Sequence, residues 1–101
     1  MNTSPNKPSP ALPRPPARLA HLPGGAALYA LRVEAELHLW LMDGDGPPLA
    51  APALRLPTGE EVHPARRRAG WLFELGAARP ASIWLTYVED GWTRGELIEL
   101  A

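Results

Sequence analysis

Nucleophilic catalysis needs a Ser, Thr or Cys beside a base, and this chain offers little of either. There is no cysteine, and the serines are Ser4, Ser9 and Ser82. The histidines His21, His38 and His63 show no i, i+2 or i, i+4 spacing from which a metal centre could be built. Glu34 and Glu36 would share one face of an extended strand, about 7 Å apart by strand rise. Acid–base work would require one of them to be buried so that its pKa rises; on a polar face both are expected to be ionised. Asp43-Gly44-Asp45-Gly46 has the opening spacing of a calcium loop, but the twelfth position from Asp43 is Leu54, where a bidentate glutamate belongs. Gly24-Gly25 lacks the Lys-Ser/Thr that follows in a phosphate loop. The sequence thus points away from an enzyme, with no catalytic residue, no metal and no cofactor expected.

Residues that could bind rather than react are easier to find. Trp40 and Trp84 fall on the outward parity of their segments, and tryptophan is enriched at interaction hot spots. His38 lies on the same parity as Trp40. Arg66-Arg67-Arg68 is the one basic run outside the N-terminal segment; it could contact a phosphate or an acidic partner, or simply discourage edge-to-edge pairing. Pro13-x-x-Pro16-x-Arg18 has the spacing by which polyproline segments engage aromatic grooves, although a proline-rich tract often produces it by composition alone. The alternative for both tryptophans is ordinary core, in a sheet covered on each side.

The stretch that must position these residues is Leu28 to Met42. Tyr29, Leu31, Val33, Ala35, Leu37, Leu39 and Leu41 occupy one parity; Arg32, Glu34, Glu36 and His38 occupy the other. Side chains alternate across a strand, so the pattern predicts one buried and one wet face. A helix would leave apolar residues on most sides. Strands usually run about 5–6 residues, so a bend, bulge or change of sheet is expected near Ala35.

Further strands are expected at Leu49–Leu56, Glu60–Arg68, Trp71–Leu75, Ala81–Glu89 and Trp92–Leu100. Pro52 should confine the first half of its strand to an edge or bulge, and Pro64 should make its own segment an edge. Leu56-Pro57-Thr58-Gly59 fits a type I turn. Asp90-Gly91 is a strong two-residue hairpin signal, which sets Val88 against Thr93, Trp84 against Leu97 and Ile83 against Ile98. Leu85 against Glu96 is a poor pair, and Gly95 suggests a bulge that relieves it. About six strands on short turns predict an all-β fold, a small antiparallel sandwich or a partly open barrel. The rhythm is like that of immunoglobulin-type sandwiches, but the Cys…Trp…Cys framework is absent.

Seven of the thirteen prolines lie in residues 1–23. Few apolar side chains there offset the roughly 1–2 kcal/mol per residue that ordering costs. Residues 1–25 are therefore expected to be a disordered arm, with Leu19–Leu22 able to dock on a single domain spanning 26–101. That arm carries Lys7, Arg14 and Arg18 and no acid, whereas the rest holds all eleven acids against seven bases. A net charge of −1 makes general attraction to nucleic acid or anionic lipid unexpected. No apolar run is long enough to cross a membrane as a helix, and no secretory leader is visible, so the cytoplasm is the expected setting. The Ala, Leu, Pro, Arg and Gly content resembles that of GC-rich bacterial genomes.

The functional expectation is a non-catalytic interaction module that binds another protein through a sheet face or edge, tethered by the arm. The alternative is a nucleic-acid or carbohydrate binder that stacks its ligand on Trp40 and Trp84 beside Arg66–Arg68.

Overall fold

The computed structural model describes residues 17–100, and they form two antiparallel sheets packed face to face. The strands in chain order are β1 (Ala17–His21), β2 (Ala27–Val33), β3 (Glu36–Met42), β4 (Ala50–Arg55), β5 (Glu61–Val62), β6 (Ala65–Arg67), β7 (Gly70–Gly76), β8 (Ser82–Glu89) and β9 (Trp92–Glu99). A single 3-10 turn, Pro23–Gly25, joins β1 to β2. One sheet runs β1-β2-β3-β7-β6 and the other β5-β4-β8-β9. The fold is thus the all-β sandwich expected. Its order is not the ABED/CFG arrangement of immunoglobulin domains, so that likeness is one of rhythm.

The largest departure from the sequence reading lies in Leu28–Met42. It is a hairpin, not one long strand with a bend: β2 and β3 pair from Ala27↔Met42 to Val33↔Glu36 about a two-residue turn, Glu34-Ala35. Partner numbers across such a turn sum to an odd value, so the buried parity switches. Leu28 and Ala30 face the core from β2; Leu37, Leu39 and Leu41 face it from β3. Tyr29, Leu31 and Val33 therefore point outward, opposite to expectation, and Val33 is 51% exposed. Glu34 adopts φ 58° at the first turn position, where glycine is usual. The Arg79 guanidinium supports this turn from a distance, donating to the carbonyls of Ala35 (2.9 Å) and Ala77 (3.1 Å).

Three further differences follow from pairing that local pattern cannot show. Residues 17–21 form β1, which pairs with β2 through a bulge between Arg18 and Ala20; the folded body therefore begins well before Gly24-Gly25. Glu60–Arg68 is not one edge strand but two, because His63-Pro64 carries the chain from the edge of one sheet (β5) to the edge of the other (β6). Glu96 needs no bulge. The β8–β9 ladder is regular from Ser82↔Glu99 to Glu89↔Trp92, with the three pairs expected in place, and Glu96 accepts a 2.6 Å hydrogen bond from the Tyr87 hydroxyl.

Other local readings stand. Ala51 adopts φ 47° within a register shift between Ala50 and Ala53, the irregularity Pro52 demanded. The Gly59 N–H donates to Leu56 O at 2.8 Å, closing the β4–β5 turn. Asp90 and Gly91 both take positive φ, 53° and 80°, as a type I′ hairpin requires. The core consists of the inner rows of both sheets. Leu28, Leu39, Leu41 and Phe73 meet Leu54, Ile83, Leu85 and Tyr87, each at most 1% exposed.

Tyr87 is the polar member of this core. Burial raises its pKa well above that of an ordinary tyrosine, and its hydrogen bond to Glu96 raises it further. Above the unfolded value of about 10, the unfolded chain has released a proton that the folded chain keeps. The folded state then binds more protons than the unfolded, and stability falls as pH rises through that window. Tyr87→Phe should lose about 1 kcal/mol at neutral pH but show a shallower alkaline decline. Urea midpoints of both proteins at about pH 8 and about pH 11 check this; parallel declines would place the hydroxyl in water.

Candidate binding surface

The tryptophans singled out by parity do point away from the core, but on opposite sides of the molecule. Trp40 lies between the buried Leu39 and Leu41 on β3, and Trp84 between the buried Ile83 and Leu85 on β8. Because β3 and β8 belong to different sheets, the two indoles occupy opposite outer faces and form no common platform. Each ring covers a glycine on the neighbouring strand, Gly70 for Trp40 and Gly95 for Trp84. Aromatic cover of this kind compensates for the missing side chain in a sheet.

On the five-stranded sheet the aromatic surface is already engaged. Arg18 stacks over Tyr29, with its Cζ 5.6 Å from the ring centroid, and donates to the Tyr29 hydroxyl at 3.2 Å. Tyr29, Trp40 and Leu72 lie in one cross-strand row, and all three are half-buried. His38 is in the next row, 3.4 Å from Glu36. Glu34 sits in the turn, so it does not share a strand face with Glu36 as the sequence suggested. Pro13 and Pro16 lie outside the described residues, and Arg18, the third member of that motif, is a residue of β1.

The arginine run does not act as a unit either. Arg66 donates to both oxygens of Asp43, at 3.1 and 2.7 Å, and lies 5.1 Å from the centroid of Trp71. The hydrogen bond to Asp43 raises its pKa beyond the usual arginine value. Arg67 pairs with Gly70 across the ladder, and Arg68 forms the β6–β7 turn. This division leaves Asp43 ion-paired. Among the described residues no group of three or more His, Asp or Glu could hold a metal.

The four-stranded sheet is different. Trp84 pairs with Leu97, and on this outer face they are 43% and 64% exposed. Trp84 forms a ridge between two shallow grooves. One, of about 150 Å³, is lined by Arg55, Pro57, Ser82 and Leu97; the other, of about 140 Å³, by Ala53, Arg55, Glu61 and Thr86. Small-molecule sites usually occupy about 300–1,000 Å³, so neither groove suits a cofactor.

Beside this face runs β9. Among the described residues it pairs only with β8, and it is eight residues long without a register shift. In an antiparallel ladder, alternate residues direct their N–H and C=O to one neighbour. The Leu100 N–H donates to Ala81 O at 2.8 Å. Continuing that alternation bonds Ile98, Glu96 and Arg94 to β8 and leaves the backbone groups of Thr93, Gly95, Leu97 and Glu99 directed outward.

The other edges are protected. β5 and β6 are two and three residues long, β6 carries two arginines, and β1 is bulged; short, charged or bulged edges resist pairing. β9 has neither proline nor bulge, and what guards it is charge alone, Arg94 and Glu96 on its inner side. Pro64 marked β5 and β6 as edges, and both are, but nothing in β9's own residues marked it as one, since that depends on which strands become neighbours. No helix among the described residues is long and apolar enough to cross a membrane. No protein-family model matches the chain, and neither a curated protein nor a solved structure matches it.

Proposed function

We propose that this protein is a non-catalytic interaction module that takes an extended segment of another polypeptide alongside β9. The observation that carries this reading is the long, regular β9 edge, which among the described residues hydrogen-bonds only to β8 and is continuous with the exposed Trp84–Leu97 pair. Main-chain hydrogen bonds to Thr93, Gly95 and Leu97 would give affinity, and the Trp84 ridge would give side-chain selectivity, as in β-strand addition generally. Residues 1–16 would serve as the tether. The setting proposed with it is the cytoplasm, where a cysteine-free chain loses nothing for want of disulfides. The base- or sugar-stacking alternative needed Trp40 and Trp84 on one platform, and their placement on opposite faces gives it no support.

Affinity capture from the native host tests the reading with four proteins: the full chain, a chain lacking residues 1–16, Thr93→Pro and Trp40→Ala. Thr93 sends its N–H outward, so proline there removes a donor from the free edge without removing one from the β8 ladder. Partners should be lost with Thr93→Pro and retained with Trp40→Ala. Capture that survives Thr93→Pro, or that is lost only when residues 1–16 are removed, would contradict it.

A further inference from the structure

We infer that the strand received by β9 is β9 of a second copy, in an antiparallel two-fold dimer centred on Gly95. This rests on the reading of β9 as a free edge and names its partner. A charged side chain on the inner side of an edge strand normally keeps other strands away. β9 carries two such side chains, Arg94 and Glu96, of opposite sign and two residues apart. They disfavour the registers centred on either charge and favour the one centred between them.

Only registers that bring outward-bonding residues together can form a ladder, so within the overlap Thr93, Gly95, Leu97 and Glu99 can face only one another, and a residue beyond the overlap stays unpaired. Centring the two-fold on Glu96 sets that carboxylate against itself. Centring it on Arg94 sets the two guanidiniums together. Like charges directly opposite are destabilising. Centring it on Gly95 places Arg94 opposite Glu96 of the second copy, and by symmetry Glu96 opposite Arg94 of the second copy. Both pairs are complementary.

The same register treats the remaining side chains consistently. Thr93 meets Leu97 of the second copy on the outer face, next to Trp84, and Trp92, 72% exposed in the isolated chain, meets Ile98 of the second copy. At the centre Gly95 carries no side chain, and each chain's Trp84 already covers it. Neither charge must give up its present partner. Glu96 accepts from Tyr87 through one carboxylate oxygen, and Arg94 reaches Glu89 through Nε at 2.9 Å, leaving its terminal nitrogens free. The contact is isologous, the form that closes a dimer without building a fibre. A strand-edge interface of this kind lies at the small end of specific interfaces, so association is expected to be weak and concentration-dependent.

Sedimentation equilibrium on the full chain tests the inference by charge exchange. Arg94→Glu alone and Glu96→Arg alone should each weaken dimerisation about tenfold or more. An equimolar mixture of the two should dimerise, because every position 94 then faces an opposite charge at position 96. Should Glu96→Arg fail to fold for want of the Tyr87 acceptor, disulfide trapping decides, since the chain contains no other cysteine. Thr93→Cys mixed with Leu97→Cys should cross-link readily, because a hydrogen-bonded pair sits about 5.5 Å apart between Cα atoms, within disulfide reach. Thr93→Cys alone should not. A chain monomeric at all concentrations, or an Arg94→Glu variant that dimerises like wild type, overturns the inference. If Thr93→Pro nevertheless abolishes capture of another protein, the free-edge reading stands and only the identity of its partner falls.

Discussion

Phe73→Ala is expected to remove about 3–5 kcal/mol of folding stability, the usual loss for a fully buried phenylalanine. Phe73 is 0% exposed and pairs with Leu39, also 0% exposed, at the centre of the five-stranded sheet's inner face. Domains of this size commonly have about 5–15 kcal/mol in total, so the variant should sit near the limit of folding. Its neighbour on the opposite face supplies the control. Leu72 points outward in the row of Tyr29 and Trp40, is only half-buried, and should cost about 1–2 kcal/mol when truncated. Urea denaturation of both variants measures the difference. Equal losses would mean that the sheet is assigned to the wrong face.

The second large effect concerns a residue with no side chain. Gly44→Ala should destabilise the fold by about 3 kcal/mol, at the upper end of ordinary overpacking. A Cβ on Gly44 would run into the carbonyl oxygen of Gly24, with Ala26 N and Gly25 C both at 2.5 Å. Every obstructing atom is backbone, so no rotamer change makes room. The Asp45 N–H also donates to Gly24 O at 3.1 Å, which holds the two segments together. Gly95 offers a contrast, since the atoms in its way belong to the Trp84 indole, which can swing aside. Gly46 is the sharper control. It lies in the same loop with nothing within 4 Å and no positive φ, so Gly46→Ala should stay within about 0.5 kcal/mol of wild type. Thermal melting of the three alanine variants gives the order; a Gly44→Ala melt matching that of Gly46→Ala would refute the close approach.

What the sequence revealed and what it hid divide along the line between local and non-local causes. The register of the β8–β9 hairpin was legible because Asp-Gly specifies its turn and a two-residue turn specifies its register, although the bulge expected at Gly95 is absent. The Glu34-Ala35 turn was hidden because neither residue favours a turn; Arg79, 44 positions from Ala35, helps to hold it. An unbroken alternation through Val33 and Ala35 reads as one strand, which puts the side chains of β2 on the wrong face. β1 was hidden for a related reason. Ala17–His21 has little strand character of its own and becomes a strand because β2 offers an edge. Parity placed Trp40 and Trp84 outward, yet parity does not say which sheet a strand joins, so it could not separate them onto opposite faces. The candidate edge was equally invisible, because β9 is free only through the neighbours of the other strands.

Amide hydrogen exchange resolved along β9 tests the central claim most directly. In dilute protein the amides of Arg94, Glu96 and Ile98, bonded to β8, should exchange slowly, while those of Thr93, Gly95 and Leu97 exchange at nearly the rate of an open chain. When β9 acquires a strand, at high protein concentration or in a captured complex, Thr93, Gly95 and Leu97 should become protected while the amides facing β8 change little. Protection of all six amides in dilute monomer, or outward amides that stay fast in every complex, would contradict the account.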